Sequence, residues 1–168
     1  DNPGNRCYFC KKKLFGILTE AAAKDGFPVL LDGTNASDDE GDRPGMRALR
    51  ELSVRSPLRE CGLTKEQIRK LSKEAGLFTW DKPAYACLAT RIPTGTPITE
   101  KALHDTEQAE TLLFSLGFRD FRVRMYHGAA RIQVREEALP LILTHRETIL
   151  TELKKRYPAI LLDLEVRA

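Results

Sequence analysis

Pro28-Val29-Leu30-Leu31-Asp32-Gly33-Thr34-Asn35 is the stretch that best indicates the fold of this 168-residue chain. A short, continuous apolar run such as residues 28–31 predicts a buried parallel strand. Before it, Cys7 to about Lys24 has the apolar spacing of a helix. After it, a capping box at Thr64-Lys65-Glu66-Gln67 marks the start of another helix. Helix and strand in alternation predict an α/β fold.

The loop that follows this strand, Asp32, Gly33, Thr34 and Asn35, is a candidate binding site. Open α/β sheets bind ligands at the carboxyl ends of their strands, and a glycine there lets a ligand approach the backbone. The same residue types also form ordinary turns, so a plain turn is an equally valid interpretation.

The pattern changes near Gly95, so we predict two domains, residues 1–95 and 96–168. The order of helices and strands in residues 96–168 predicts a small α+β domain with its helices on one face of a sheet. Its predicted elements are a helix from Thr99 to Leu116, a hairpin around His127-Gly128, a mostly helical segment from Glu136 to about Tyr157 that Pro140 begins or splits, and a strand from Ile160 to Arg167.

Cys87, within Ala84-Tyr85-Ala86-Cys87-Leu88-Ala89-Thr90-Arg91-Ile92-Pro93, is the main candidate for chemistry. The thiolate is the reactive form of cysteine, and the cation Arg91 four positions on favours it. Cys7 and Cys10 form a CxxC pair, which together with a distant cysteine indicates sulfur or metal chemistry. The alternatives are a buried packing role for Cys87, or a zinc site that Cys61 and Cys87 complete.

Arg122 and Arg124 alternate onto one face of a predicted strand. If residues 127–130 form the turn, Arg124 faces Gln133 and Arg122 faces Arg135. Like charges paired across a hairpin are unfavourable unless anions neutralise them, and arginine favours phosphate or carboxylate. The alternative is neutralisation within the chain by Asp163 and Glu165.

Composition sets broad limits on the function. The hydrophobic fraction is 42%, the charged fraction 30% and the net charge +3, which is ordinary for a soluble globular protein and too weakly basic to indicate nucleic acid. No apolar run is long enough to span a membrane, and the first residues lack the layout of a signal peptide. Four cysteines are too few for a secreted disulfide scaffold of this size, so we expect a reducing cytosol.

Several motifs in combination resemble the LarE family of the PP-loop ATP pyrophosphatase group. They are Asn2-Pro3 with Arg6-Cys7-Tyr8-Phe9-Cys10-Lys11, Asp32-Gly33-Thr34-Asn35, Arg43-Pro44-Gly45, Arg55-Ser56-Pro57-Leu58, Lys82-Pro83-Ala84, Cys87-Leu88-Ala89-Thr90-Arg91-Ile92-Pro93 and Phe121-Arg122-Val123-Arg124. The resemblance implies that residues 1–95 are part of a Rossmann-like PP-loop domain of the adenine nucleotide alpha hydrolase type. The family's Ser-Gly-Gly phosphate loop has no counterpart here, so we expect this piece alone to lack ATP turnover.

The resemblance also implies a reaction. Family members use ATP and Mg²⁺ to adenylate a carboxylate of a pyridinium dicarboxylate mononucleotide, and sulfur then displaces AMP, for the nickel-pincer cofactor. Cys87 would be either the sacrificed sulfur donor or a ligand of an iron–sulfur cluster with Cys7 and Cys10; the latter is the version we favour. Arg122 and Arg124 would hold the substrate phosphate, Asp32–Asn35 the nucleotide, and we expect a homo-oligomer. A tRNA thiolase and a non-enzymatic zinc-stabilised binding module are the rival functions.

Overall fold

The computed structural model describes residues 1–38 and 44–167. Its contacts divide the chain into an N-terminal unit, Pro3–Lys82, and a C-terminal unit, Asp1–Asn2 together with Pro83–Ala168. Residues 83–95, which the sequence analysis assigned to the first domain, thus pack with the C-terminal unit. Arg43 of the Arg43-Pro44-Gly45 motif lies outside the described residues.

Four helices make up most of the described N-terminal unit. They are α1 (Arg6–Lys24), α2 (Pro44–Glu51), α3 (Pro57–Glu60) and α4 (Lys65–Glu74). The predicted first helix is confirmed. The capping box is also confirmed, because the Thr64 hydroxyl accepts from the Gln67 backbone N–H while the Gln67 side chain reaches back to Thr64.

The predicted buried strand at residues 28–31 is wrong. The segment makes one parallel bridge, Leu31 to Arg55, and both Val29 and Leu31 are more than half exposed. A buried parallel strand needs hydrogen-bonded neighbours and cover on both faces. Among the described residues, Arg55 is the only bridge partner of this segment. The apolar run therefore remains exposed. The mixture of helices with a small sheet still agrees with the predicted α/β class.

A three-stranded sheet with helices packed against its inner face forms the C-terminal unit. Strands β1 (Arg122–Tyr126) and β2 (Ala129–Gln133) are antiparallel, and β3 (Ile160–Leu162) pairs with β2 in parallel. Helix α5 runs from Glu100 to Ser115, and Thr99 caps it as predicted, accepting from the Ala102 N–H. The buried core combines residues of the helices and the inner sheet face: Ala109, Leu113, Phe121, Val123, Ile132, Ile149 and Leu153.

The hairpin turn contains only His127 and Gly128. Both have positive φ, +47° and +81°, which matches the two-residue turns that suit twisted hairpins. Arg124 therefore pairs with Arg131 and Arg122 with Gln133. The register predicted from a four-residue turn is wrong by two residues, although Arg122 and Arg124 do share one face.

The segment after the hairpin is helical but broken. A short 3-10 turn, Glu136–Ala138, leads into α6 (Leu139–Thr144) and α7 (Arg146–Leu153). Pro140 lies in the first turn of α6, where its missing N–H is tolerated. None of the helices described here has the length and apolar character required to cross a membrane.

Candidate functional site

Cys87 lies exposed at the start of a one-turn 3-10 helix, Leu88–Arg91, in the C-terminal unit. Its carbonyl oxygen accepts from the Thr90 backbone N–H at 2.9 Å and from the Thr90 hydroxyl at 2.7 Å. Residues 84–92, which we call the Cys87 turn, thus present the thiol on an ordered backbone. This exposure contradicts the interpretation of Cys87 as a buried packing residue.

Arg122 and Arg124 contact the Cys87 turn on both sides of the cysteine. The Nη2 of Arg122 donates to the carbonyl of Ala84, and the Nη1 of Arg124 donates to the carbonyl of Thr90 at 3.1 Å. The two arginines that the sequence analysis placed on one strand face therefore adjoin the reactive-cysteine candidate. A guanidinium has five N–H donors, so each of them keeps donors beyond these bonds. Arg122 is only 5% exposed and also donates to the Phe121 carbonyl at 2.6 Å, so the half-buried Arg124 offers the more accessible donors to an anion.

Ion pairs within the chain neutralise only part of the basic strand face formed by Arg122, Arg124 and Arg131. Arg131 lies 3.4 Å from the Asp163 carboxylate, and Arg122 lies 3.8 Å from that of Asp120. Among the described residues, no carboxylate lies within ion-pair distance of Arg124. Burial, and then repulsion from neighbouring guanidinium groups including Arg91, lowers the pKa of both Arg122 and Arg124. A phosphate or carboxylate at this face would relieve that repulsion.

The sequence suggested that the Arg91 cation acts on the Cys87 thiolate, but in the structure its guanidinium is bound to other residues. Only 1% of the residue is exposed, and its guanidinium donates to Glu110 at 2.6 and 3.1 Å and to the Thr90 hydroxyl at 2.9 Å. Glu110 was not among the site residues predicted from the sequence. Its position could have revealed it, because Glu110 lies four residues after Thr106 and three before Leu113, on the buried face of α5.

Tyr85 links the Cys87 turn to the same carboxylate. Its hydroxyl donates to Glu110 at 2.7 Å, and its ring lies near the guanidinium groups of Arg91 and Arg122. Burial, followed by the hydrogen bond to Glu110, raises the pKa of Tyr85 to about 12.

This pKa predicts an alkaline loss of stability. Because the folded-state pKa exceeds the unfolded value of about 10, protonated Tyr85 stabilises the fold below about pH 10. That contribution is lost as the pH rises to about 12. Between about pH 10 and pH 12, the free energy of unfolding measured with denaturant should therefore fall less in Tyr85→Phe than in the parent. Equal losses in the two proteins would contradict the assignment, since Tyr157, whose pKa is also raised, is present in both.

The N-terminal unit has a cavity of about 570 Å³ beside the predicted binding loop. Cys7, Lys11, Asp32, Gly33, Thr34 and Gly45 are among its lining residues. Burial raises the pKa of the Asp32 carboxyl, but hydrogen bonds from Ser56 and Thr34 outweigh it and leave the pKa lowered. Asn35 instead accepts from the Ser37 N–H, as a turn residue does, and does not line the cavity.

The remaining thiols of the sequence hypothesis, Cys7, Cys10 and Cys61, are all exposed and lie in the N-terminal unit, whereas Cys87 lies in the C-terminal unit. Cys7 and Cys10 are three residues apart in the first turns of α1, so they share a helix face. Among residues 1–38 and 44–167, no group of three or more His, Cys, Asp or Glu forms a metal-binding cluster.

The fold and the site define an α/β protein that presents an exposed cysteine on a turn bound by arginines. No protein-family model matches the chain. The chain is 34% identical, over 92% of its length and 56% of the relative's, to pyridinium-3,5-bisthiocarboxylic acid mononucleotide synthase of Lactiplantibacillus plantarum. It is also similar to uncharacterized proteins of Synechocystis (41% identity over 82% of the chain and 52% of the relative) and Methanocaldococcus jannaschii (33%, 98% and 65%).

The chain belongs to the LarE family, to which the Lactiplantibacillus synthase also belongs, so the predicted resemblance is confirmed. It spans between about half and two thirds of the length of these relatives.

Proposed function

We propose that this chain takes part in transferring sulfur to a carboxylate of a pyridinium dicarboxylate mononucleotide, with Cys87 as the central thiol. The observation that carries the proposal is the exposed Cys87 on a turn held by Arg122 and Arg124. The name of the Lactiplantibacillus relative describes a product with two thiocarboxylates and a mononucleotide. Such chemistry requires a sulfur nucleophile and a binding site for one phosphate, and the C-terminal unit has groups suited to both.

Activation of the carboxylate is the first chemical requirement, because a carboxylate oxygen is a poor leaving group. Adenylation by ATP with Mg²⁺ would convert that oxygen into the leaving group AMP. In the sacrificial route the Cys87 thiolate attacks the adenylated carbonyl and AMP departs. Removal of the Cα proton of Cys87 then breaks its Cβ–Sγ bond, leaving the sulfur on the substrate and a dehydroalanine in the chain.

The cavity of the N-terminal unit is the proposed site for the ATP nucleotide. Asp32, Gly33 and Thr34 line it with hydrogen-bonding groups and an open backbone approach, and Lys11 adds a cation that suits a phosphate. Asn35, also proposed from the sequence, shapes the turn at this loop. We propose that this unit forms part of a Rossmann-like PP-loop domain.

An iron–sulfur cluster, the version favoured from the sequence, is the second proposed use of the same thiols. Cys7 and Cys10 are exposed at a spacing that suits two cluster ligands, and Cys87 would supply the third. Such a cluster, once bound, would carry an extra sulfide for transfer. Iron and acid-labile sulfide after anaerobic purification would support this version, whereas a protein that transfers sulfur without either supports the sacrificial route.

Substrate binding by the arginines provides the test of the proposed function. Arg124→Gln should weaken the binding of a pyridinium carboxylate mononucleotide by about ten- to a hundredfold, since a charge-assisted contact contributes about 1.5–3 kcal/mol. Isothermal titration would measure this affinity and, separately, that for ATP, which we expect to stay unchanged.

Arg131→Gln is the matched control for this experiment. Arg131 lies opposite Arg124 in the hairpin register, but its guanidinium already forms an ion pair with Asp163. Its replacement should therefore lower the affinity for the mononucleotide far less. An Arg124→Gln variant that binds the mononucleotide as tightly as the parent would rule out a phosphate site at this face.

A further inference from the structure

Glu110 is a buried carboxylate that accepts two hydrogen bonds on each oxygen. Only 1% of the residue is exposed. Its Oε1 accepts from the Nε of Arg91 at 2.6 Å and from the Val123 N–H at 2.9 Å. Its Oε2 accepts from the Tyr85 hydroxyl at 2.7 Å and from the Nη2 of Arg91 at 3.1 Å. Carboxylates are almost never buried unless paired, and these donors satisfy both oxygens.

The donors to this carboxylate come from both sides of the candidate nucleophile. Tyr85 precedes Cys87 in the chain and Arg91 follows it, so Glu110 holds the Cys87 turn at two points. The remaining donor, Val123, belongs to strand β1, which also carries the two arginines of the site. One carboxylate therefore connects the turn bearing the thiol with the strand bearing the cations.

Charge gives Glu110 a second effect on the site. The charge of Arg91 disfavours the charged forms of Arg122 and Arg124, whereas that of Glu110 favours them. Without the carboxylate, the buried guanidinium of Arg91 would repel the two arginines that hold the turn. We expect the turn to move away from β1 in response.

We propose that Glu110 is the positioning residue of this site: it sets where the Cys87 thiol stands relative to the guanidinium groups of strand β1, and it does not itself react. The catalytic importance of this positioning rests on the proposed function. The placement of the Cys87 turn can nevertheless be measured without any catalysis, which separates the two hypotheses experimentally.

Hydrogen exchange of the free chain provides the first test. In Glu110→Gln, and in a double variant Arg91→Met with Glu110→Leu that replaces the pair by apolar groups, amides of residues 84–92 should exchange at least about tenfold faster. Mass spectrometry should show unchanged exchange in α7. The double variant removes the buried charges together, so it keeps the test valid if Glu110→Gln does not fold. Parent-like protection of residues 84–92 in the double variant would overturn the inference.

Asp105→Asn is the matched control. Asp105 is also a buried carboxylate of α5 with ion-pair partners, Lys101 at 2.5 Å and Arg156 at 3.2 Å, but it has no hydrogen bond to the Cys87 turn. Its replacement should leave exchange of residues 84–92 unchanged. Loosening of the turn in this variant as large as that in Glu110→Gln would mean that general destabilisation, rather than positioning, explains the effect.

Kinetics of the complete enzyme provide the second test. Tyr85→Phe removes one of the four hydrogen bonds to Glu110, and Glu110→Gln removes its charge. Both should lower the single-turnover rate of sulfur transfer at saturating mononucleotide, the latter by at least about tenfold, with the mononucleotide concentration that gives half of this rate little changed. An unchanged single-turnover rate per folded enzyme would overturn the inference, even if the melting temperature falls. A parent enzyme that transfers no sulfur would instead overturn the proposed function and leave the exchange result standing.

Discussion

Replacing Cys87 by Ser is expected to reduce thiocarboxylate formation by the complete enzyme to below about one thousandth of the parent rate. The hydroxyl of serine can neither donate sulfur nor serve as the thiolate ligand of a cluster. The side chain is exposed, so the substitution should leave the free energy of unfolding nearly unchanged. Mass spectrometry of the product measures the reaction, and circular dichroism of the chain checks the fold.

Cys61→Ser is the control for this experiment, because Cys61 is equally an exposed thiol but belongs to neither of the two proposed sulfur-transfer routes. It should retain the parent activity. Cys7→Ser and Cys10→Ser then separate the two mechanisms: losses as large as that of Cys87→Ser indicate a shared cluster, and full activity indicates a sacrificial Cys87. Thiocarboxylate formation by Cys87→Ser at the parent rate would eliminate both routes.

Breaking the buried ion pair is expected to produce the largest loss of stability. Arg91→Met leaves the Glu110 carboxylate, 1% exposed, without its charged partner. Removing one member of a buried pair typically lowers the free energy of unfolding by about 3–5 kcal/mol, because the other charge stays desolvated. Chemical denaturation of the chain, followed by circular dichroism, measures this change.

The double variant, Arg91→Met with Glu110→Leu, tests the physical reason. It removes both charges and fills the space with apolar groups, so we expect it to recover most of the lost stability. A double variant as unstable as Arg91→Met alone would show that packing, rather than an uncompensated charge, dominates. Lys101→Met serves as the comparison, because its partner Asp105 is less enclosed and Lys101 itself is exposed; its loss should be within about 1 kcal/mol.

Local patterns were sufficient to predict much of the secondary structure. The capping box at Thr64 and the N-cap at Thr99 depend on residues within four positions, and both are confirmed. The strand at residues 28–31 and the hairpin register were wrong for different reasons. Burial of a strand depends on partners distant in sequence, and the register depended on both turn residues adopting positive φ.

The amino-acid sequence alone was enough to identify Cys87 as the candidate thiol, to place Arg122 and Arg124 on one strand face and to reveal the resemblance to the LarE family. These conclusions depend on residue identity, strand alternation and motif spacing, all of which are local. The electrostatic partner of Arg91, in contrast, is apparent only in the folded chain. Arg91 lies four residues from Cys87 in sequence, but its guanidinium binds Glu110, which is distant in the chain and adjacent in the fold. Electrostatic partners depend on distances in space, so spacing along the chain could not identify them.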